Sequence, residues 1–258
     1  MTHAPSNPLG LPAEVTACLF DLDGVITGTA TVHAAAWKEM FDEYLRARAA
    51  RTGEVFQPFS QDDYERYVDG RPRQDGTRAF LRSRGIDLPE GLPTDPADAE
   101  TVHGLSNRKN QLVVRHLTAD EIEVFPGSLR YVKEVRVAGL RTAIVSSSAN
   151  AGQVLDAVGI ADLFDARIDG LTAAERRLVG KPAPDMFLAG AEALGATPST
   201  AAVFEDALAG VAAGRAGGFA LVVGVDRGDE AAALRQHGAD VVVRDLSELL
   251  GAEGMEVT

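Results

Sequence analysis

The sequence is poor in cysteine. Cys18 is the only cysteine among 258 residues, so no disulfide bond can form within the chain. Because Cys18 stands in an apolar run, we interpret it as a buried residue rather than as a reactive thiol. The low cysteine content fits a reducing compartment, and we expect a cytoplasmic protein.

Positive charge and long apolar runs are also scarce. Asp and Glu number 38 against 25 Lys and Arg, which gives a formal net charge of -13. Nucleic acids and anionic membranes bind clustered Lys and Arg, so we predict that the protein binds neither. The sequence lacks an uncharged run of membrane-spanning length and a basic segment followed by an apolar one. We therefore expect a soluble protein without a signal peptide and, since no coiled-coil pattern is present, a monomer.

Short apolar runs alternate with helical patterns over most of the chain. Most runs are continuously apolar, as in strands that are buried on both faces of a parallel sheet. The helical patterns between them end on glycine, as a helix C-cap does. This alternation predicts an α/β fold with a doubly wound (Rossmann-like) parallel sheet. The predicted strands are 17–21, 141–147, 164–169, 201–206, 219–225 and 239–245.

One region breaks the alternation, because 30–121 contains helical patterns and loops without a convincing strand. A Pro- and Asp-rich stretch at 84–100 predicts a long loop. We predict a helical cap domain at 30–121, inserted into an α/β core domain formed by 1–29 and 122–258. The stretch "WKEMFDEYL" predicts an amphipathic helix. Its apolar stripe consists of Trp37, Met40, Phe41, Tyr44 and Leu45.

Two aspartates follow the first predicted strand in "CLFDLDGV". Asp21 and Asp23 are two positions apart and therefore point to the same side, at the sheet edge where doubly wound folds bind ligands. Two close carboxylates repel each other unless a cation lies between them or one is protonated. The pair thus indicates either a divalent metal site or a nucleophile beside an acid/base. Two solvated aspartates in a turn would give the same pattern.

Three later stretches end in polar residues that suit phosphate or metal chemistry. Ser146 in "IVSSSAN" closes a predicted strand with hydroxyl and amide groups that could hold phosphate oxygens. Lys181 lies in "GKPAPD", and Glu205 and Asp206 end another predicted strand in "VFED". Paired carboxylates at that position suit Mg²⁺, which needs one or two protein carboxylates beside water and phosphate. Each stretch by itself also fits an ordinary turn or solvated loop.

In this order and spacing, the four stretches resemble the motifs of the haloacid dehalogenase superfamily. The stretches "FDLDGVITGTATVHAAAWK", "NRKN", "SSSAN" and "GKPAPDMF" are similar to its β-phosphoglucomutase subgroup. The resemblance covers about 15–225 and implies Mg²⁺-dependent phosphoryl transfer on a sugar phosphate. It makes Asp21 the nucleophile that becomes an aspartyl-phosphate, and Asp23 the general acid/base. Ser146 would bind the transferring phosphoryl group, and Lys181 would neutralise the charge of the nucleophile and the phosphate. The implied Mg²⁺ ligands are Asp21, the carbonyl of Asp23, and Asp206 with the adjacent Glu205.

The resemblance also implies residues for the cap and for a second phosphate. His33 would orient Asp23 when the cap closes. A histidine packed at the end of the apolar stripe is the commoner case, but the matching stretch "TATVHAAAWK" favours the functional role. The sequence departs from the subgroup at Gly28, where many relatives carry Asp, and at Ala149, where many carry Lys. Thr27 or Thr29 is expected to act as the hinge and N-cap residue in place of the Asp that many relatives carry at position 28. The implied substrate-binding residues are Arg73, Lys109, Asn110, Ser148 and Asn150.

The resemblance favours a mutase that moves phosphate between C1 and C6 of β-glucose phosphate through glucose 1,6-bisphosphate. A sugar-phosphate phosphatase would use the same motifs, with water as the acceptor. A phosphoacceptor domain of the receiver type also combines clustered Asp with Lys. In that class the phosphorylated Asp ends the third strand and no large insertion is present, so this alternative is disfavoured.

Overall fold

The computed structural model describes residues 8–117 and 122–251. Within these ranges the strands pair in parallel in the order β3-β2-β1-β4-β5-β6. The doubly wound α/β sheet predicted from the sequence is confirmed. The first strand lies at the centre, where the strand order reverses and ligands bind in such folds. The strands are β1 (Ala17–Phe20), β2 (Arg141–Val145), β3 (Ala166–Ile168), β4 (Ala201–Glu205), β5 (Leu221–Val225) and β6 (Val241–Val243).

Helices cover both faces of the sheet, and each face has its own apolar cluster. Leu19 packs in one cluster with Phe187, and Phe20 packs in the other with Phe204. Neighbouring strand residues point to opposite faces, so a strand buried on both sides must be apolar throughout. The helices of this part are α5 (Pro126–Val137), α6 (Ala151–Ala157), α7 (Gly170–Arg176), α8 (Asp185–Ala193), α9 (Leu208–Ala216) and α10 (Ala231–His237).

The region between β1 and α5 contains helices and loops and, among the described residues, none of the strands of the sheet. Its helices are α1 (Ala30–Thr52), α2 (Gln61–Asp63), α3 (Arg73–Ser83) and α4 (Val102–His116), and a π-helical turn, Tyr64–Val68, continues α2. The predicted amphipathic stripe is buried on one face of α1, in a third apolar cluster with Phe59 and Phe80. The predicted loop at 84–100 contains neither helix nor strand.

Two segments connect the sheet to this helical region. The first, 24–29, follows β1, and the second, 122–125, precedes α5. Backbone hydrogen bonds join them, since the Gly28 amide donates to the Glu123 carbonyl and the Phe125 amide to the Ile26 carbonyl, both at 2.9 Å. We propose that 30–121 is the cap domain, although residues 118–121 near its end lie outside the described residues. None of the helices in the described ranges combines the length and apolar character that crossing a bilayer requires.

Candidate active site

The loop after β1 brings the aspartate pair to the carboxyl edge of the sheet. The Asp21 amide donates to the Phe204 carbonyl at 2.9 Å, so Asp21 continues the pairing with β4. Gly24 has a φ of +86°, which lets the chain turn sharply beside Asp206. A Cβ atom at Gly24 would overlap the Asp206 carboxylate. Asp21, Asp23 and Asp206 therefore line one cavity of about 570 Å³.

Lys181 is buried between two carboxylates. Its Nζ donates to Asp21 Oδ1 and Glu205 Oε1, both at 2.5 Å, and to the Val145 carbonyl at 3.0 Å. Burial opposes the ammonium charge, but the two carboxylates outweigh burial and raise the pKa of Lys181. The other oxygen of Glu205 accepts from the Ala207 amide at 2.8 Å. Glu205 is thus engaged away from the cavity, so we retain Asp206 as the proposed metal ligand and treat Glu205 as the partner of Lys181.

The carboxylates around this lysine carry more negative charge than it neutralises. Burial raises the pKa of Asp21, Lys181 offsets part of that rise, and repulsion from Glu205 and Asp23 adds to it. Burial also raises the pKa of Asp206, as do the charges of Asp69, Glu205, Asp21 and Asp23. A divalent cation would relieve this repulsion, and carboxylate oxygens are the donors that Mg²⁺ prefers.

The oxygen donors at this edge of the sheet fit the protein part of a Mg²⁺ site. Among the described residues, no three His, Cys, Asp or Glu side chains already form a group that could hold a metal ion. Mg²⁺ sites commonly consist of one or two carboxylates together with water and substrate phosphate. Asp21 and Asp206, with a backbone carbonyl from the Asp23 turn, would supply the protein part of such a site.

Hydroxyl groups of other residues contact the carboxylate of Asp23. The Thr29 hydroxyl donates to Asp23 Oδ1, and Thr27 Oγ1 lies 2.7 Å from Thr29 Oγ1. Ser146 Oγ lies 3.4 Å from Asp23 Oδ2. Thr29 occupies the N-cap position of α1 but makes no side-chain hydrogen bond to the helix. Thr29 is therefore the N-cap residue of α1, as one of the two expected alternatives had it, although its hydroxyl is directed to Asp23 rather than to the helix backbone.

His33 and Lys109 connect two helices of the proposed cap to Asp23. Lys109 Nζ lies 3.0 Å from His33 Nδ1 and 5.0 Å from the centre of the Trp37 ring. His33 Nε2 lies 3.8 Å from Asp23 Oδ1. Burial and the Lys109 charge lower the pKa of His33 to about 4, against the attraction of Asp23. Burial lowers the pKa of Lys109 to about 7, with Asp23 opposing this shift and Arg73 adding to it.

The other predicted substrate-binding residues line the same cavity from the loop after β2, the start of α3 and α4. Asn150 Nδ2 donates to Asn110 Oδ1 at 3.0 Å, which links the core to α4. Ser148 Oγ accepts from the Asn150 amide at 3.2 Å. The Arg73 guanidinium has no ion-pair partner within the part of the chain that the structure describes. An unpaired guanidinium in a cavity is available to bind an anion.

The structure adds residues that the sequence patterns did not single out. Trp37 belongs to the buried stripe of α1 but also lines the cavity. Tyr64 and Asp69 line it too, and burial raises the pKa of Asp69 to about 7, although its hydrogen bond with Tyr64 opposes the shift. Tyr64 lies in the π-helical turn, a feature visible only in the structure, and such turns occur often at functional sites. A fourth residue, Arg227, contacts the Asp23 turn.

Comparisons with known proteins match the chain to one family. The model of haloacid dehalogenase-like hydrolases matches residues 15–218. The chain is 58% identical over 249 residues to the beta-phosphoglucomutase of Mycobacterium bovis, covering 95% of each. It is 34% identical over 233 residues to that of Bacillus subtilis, covering 90% of this chain and 91% of the other. The crystal structure of beta-phosphoglucomutase from Clostridium difficile matches with a TM-score of 0.69 and 27% identity, covering 91% and 93%.

The family match and the residues at the sheet edge support the same assignment. The matched range contains the two aspartates after β1, the serine after β2, Lys181 and the acidic pair at the end of β4. The resemblance stated from the sequence is confirmed. The chain is an enzyme that belongs to the haloacid dehalogenase family.

Proposed function

We propose that the protein is a Mg²⁺-dependent β-phosphoglucomutase that converts β-glucose 1-phosphate into glucose 6-phosphate through glucose 1,6-bisphosphate. The observation that carries this proposal is the charge pattern of one cavity. Asp21, which pairs with Lys181, lines this cavity, and Arg73 lines it without an ion-pair partner in the described ranges. Such a cavity suits a substrate with two phosphates, which a bisphosphate intermediate requires. The names of the bacterial relatives support the same activity.

In the proposed mechanism, Asp21 is the nucleophile. Lys181 holds Asp21 Oδ1, which leaves Oδ2 to attack phosphorus. A bond forms between Oδ2 and phosphorus, and the bond from phosphorus to the sugar oxygen breaks. Lys181 and the Ser146 hydroxyl stabilise the charge of the phosphoryl oxygens, which is the main requirement of phosphoryl transfer.

Asp23 moves the proton in both halves of the proposed reaction. Its carboxylic acid protonates the departing sugar oxygen, and its carboxylate then takes the proton from the hydroxyl that attacks the aspartyl-phosphate. Thr29 and Ser146 orient the carboxyl group through their hydroxyls. A positioned carboxyl group of this kind supplies general acid and base catalysis.

Asp21, Asp206 and the Asp23 carbonyl would hold Mg²⁺ in this proposal. When bound, the ion neutralises the charge that these carboxylates share with the phosphoryl oxygens. The chain itself supplies Lys181 as a fixed counter-charge, because the ammonium group is buried and hydrogen-bonded on three sides.

The proposed cap excludes water and binds the second phosphate. His33 and Lys109 cover Asp23 from α1 and α4. Arg73 would bind the distal phosphate through two parallel hydrogen bonds, with Ser148, Asn150 and Asn110 beside it. When the bisphosphate turns around, either phosphate can occupy this end, so the same groups serve both halves of the reaction. The proposal includes a monomeric, cytoplasmic enzyme that binds neither nucleic acid nor membrane.

A sugar-phosphate phosphatase is the second candidate, and the matching family model is named for hydrolases. The two activities share the first step and differ in whether water or a sugar hydroxyl accepts the phosphoryl group from Asp21. Ala149 lines the cavity without a charged group that would strengthen the distal site. That position is the observation in the chain that favours hydrolysis over mutase activity.

One assay separates the two candidates. The protein is incubated with β-glucose 1-phosphate, Mg²⁺ and a trace of glucose 1,6-bisphosphate, and glucose 6-phosphate and inorganic phosphate are followed separately. We expect glucose 6-phosphate to form with little phosphate release. Phosphate release without glucose 6-phosphate would exclude the mutase. Asp21→Asn is expected to abolish turnover, whereas Asp229→Asn, which changes an exposed carboxylate, retains it.

A further inference from the structure

Arg227 joins four segments of the chain through one guanidinium group. Its Nε donates to the Gly24 carbonyl at 2.7 Å and its Nη2 to the Val25 carbonyl at 3.4 Å. Its Nη1 donates to the Arg244 carbonyl at 2.9 Å, next to the end of β6. The guanidinium carbon also lies 3.8 Å from the centre of the Phe125 ring. Arg227 itself follows β5, on the side of the sheet away from β2.

Two of the segments that Arg227 contacts connect the sheet to the proposed cap, and one of them contains the Asp23 turn. Gly24 and Val25 directly follow Asp23, and the Gly24 amide donates to the Thr27 carbonyl at 2.7 Å. Phe125 belongs to the second segment that connects the sheet to the proposed cap, and its amide donates to the first segment. Arg227 therefore contacts both connections at the point where they run side by side.

An arginine is suited to this position for a physical reason. Carbonyl groups in a turn have no partners from a helix or strand and need other donors. The guanidinium offers five donors in a fixed plane, so it can bond several carbonyls and cover an aromatic ring at the same time. A lysine ammonium could reach one of these carbonyls but would not keep the planar contact with Phe125.

We infer that Arg227 is a positioning residue that holds the Asp23 turn and both connections to the cap as one unit. With this unit fixed to β5 and β6, Asp23 keeps its place beside Asp21 while the helical region opens and closes over the cavity. The catalytic consequence rests on the proposed phosphoryl transfer at Asp21, whereas the structural consequence does not. Removal of the guanidinium should loosen the turn and let water reach the aspartyl-phosphate.

The test compares Arg227→Met and Arg227→Lys with Arg244→Met. Arg244 is a matched control, because its side chain is exposed and pairs with Asp229, and only its backbone carbonyl contacts Arg227. Amide hydrogen exchange at Gly28 and Phe125 should be about tenfold faster in Arg227→Met, as expected for loss of charge-assisted hydrogen bonds. The lysine variant should show a smaller increase, and the control should match the wild type.

The same variants are assayed for turnover. We expect kcat to fall about tenfold in Arg227→Met with little change in KM, because Asp23 acts in the transition state rather than in substrate binding. The ratio of inorganic phosphate to glucose 6-phosphate should rise. Arg227→Lys should recover part of both losses, and thermal unfolding verifies that each variant folds.

Unchanged exchange at both amides in the Arg227 variants would overturn the inference. A lower thermal stability with unchanged kcat and an unchanged product ratio would also overturn it, since a purely structural role predicts that result. If the wild type forms no glucose 6-phosphate, the proposed mutase function fails, while amide exchange and the rate of phosphate release still test Arg227. If Arg227→Met does not fold, the exchange and turnover of Arg227→Lys decide the outcome.

Discussion

Lys181 shows how much of this site depends on single buried charges. Its side chain has no exposed surface and bonds Asp21 and Glu205 at the same time. Removal of one partner from a buried ion pair leaves an uncompensated charge, which is more costly than the pair itself is favourable. The lysine therefore has a structural role in keeping two carboxylates together as well as the proposed role on the phosphoryl group.

Replacement of Lys181 by Met should lower the free energy of unfolding by about 3 kcal/mol at pH 8 in the absence of Mg²⁺. The loss should be smaller at pH 5, because the pKa values of the unpaired carboxylates rise and these groups take up protons in the folded state. Urea unfolding at both pH values measures the difference. Lys38→Met is the control, since Lys38 pairs with Asp42 from an exposed position. An equal loss at both pH values would contradict an electrostatic origin.

Lys109 gives a second residue-scale prediction with the opposite sign, because here removal of the lysine should stabilise the protein. Its pKa falls from 10.5 to about 7 on folding, mainly through burial, so between these values the unfolded chain binds more protons. The contribution of Lys109 to the free energy of unfolding therefore rises as the pH increases from about 7 to 10.

Lys109→Met, which keeps most of the apolar stem, should be more stable than the wild type by about 4 kcal/mol at pH 7. The advantage should disappear only above the unfolded-state pKa of 10.5, where the lysine is neutral in both states. Denaturant unfolding across the window measures this difference. A constant difference between the two proteins at all pH values would show that packing rather than charge is responsible.

The turn after β1 is the element on which the site depends. Gly24 needs its positive φ, and it also leaves room for Asp206 from the end of β4. The neighbouring connection is tight as well, since a Cβ atom at Gly28 would lie 3.2 Å from Glu123 Oε2. Glu123 therefore occupies the space into which a longer side chain at position 28 would extend.

Gly24→Ala should reduce Mg²⁺ affinity about tenfold, since the new methyl group displaces Asp206, and it should also cost about 1 kcal/mol of stability through backbone strain. Gly53→Ala separates the two effects. Gly53 has a φ of +75° but no atom within 4 Å of an added Cβ, so it carries the strain without the overlap. Titration calorimetry with Mg²⁺ alone tests affinity, and equal affinity in both variants would contradict the assignment of Asp206.

At the scale of the whole molecule, negative charge is concentrated where the sheet meets the helical region. The net charge is -13, and the groups that raise the pKa of Asp206 are carboxylates from β1, β4 and the loop before α3. A cation bound there stabilises the folded state by mass action, in proportion to its occupancy.

Mg²⁺ should therefore raise the thermal unfolding temperature by an amount equivalent to about 2.7 kcal/mol at 100 times its Kd. Asp206→Asn should remove most of this increase and should be more stable than the wild type in EDTA, because one repelling carboxylate is gone. Thermal scans at matched ionic strength separate binding from general screening. Asp229→Asn is the control, and an unchanged Mg²⁺ response in Asp206→Asn would refute the proposed site.

The sequence by itself determined the sheet and the meeting point of its motifs. Strands buried on both faces must be apolar throughout, so the runs around β1, β2 and β4 are visible without a structure. Parallel strands end at one edge, so Asp21, Ser146 and Asp206 had to converge once their strands were identified. The resemblance to a known family then supplied the roles proposed for them.

Only the tertiary structure decided which side chains touch. The contact between His33 and Lys109 and the binding of the Asp23 turn by Arg227 each join elements that the sequence does not place next to each other. The Thr29 hydroxyl makes a local contact, but no sequence pattern showed that it bonds Asp23 rather than the helix. Local patterns record periodicity and propensity over one or two turns of chain. The distance between a residue on α4 and one on α1 depends instead on how the helices pack, which no local pattern specifies.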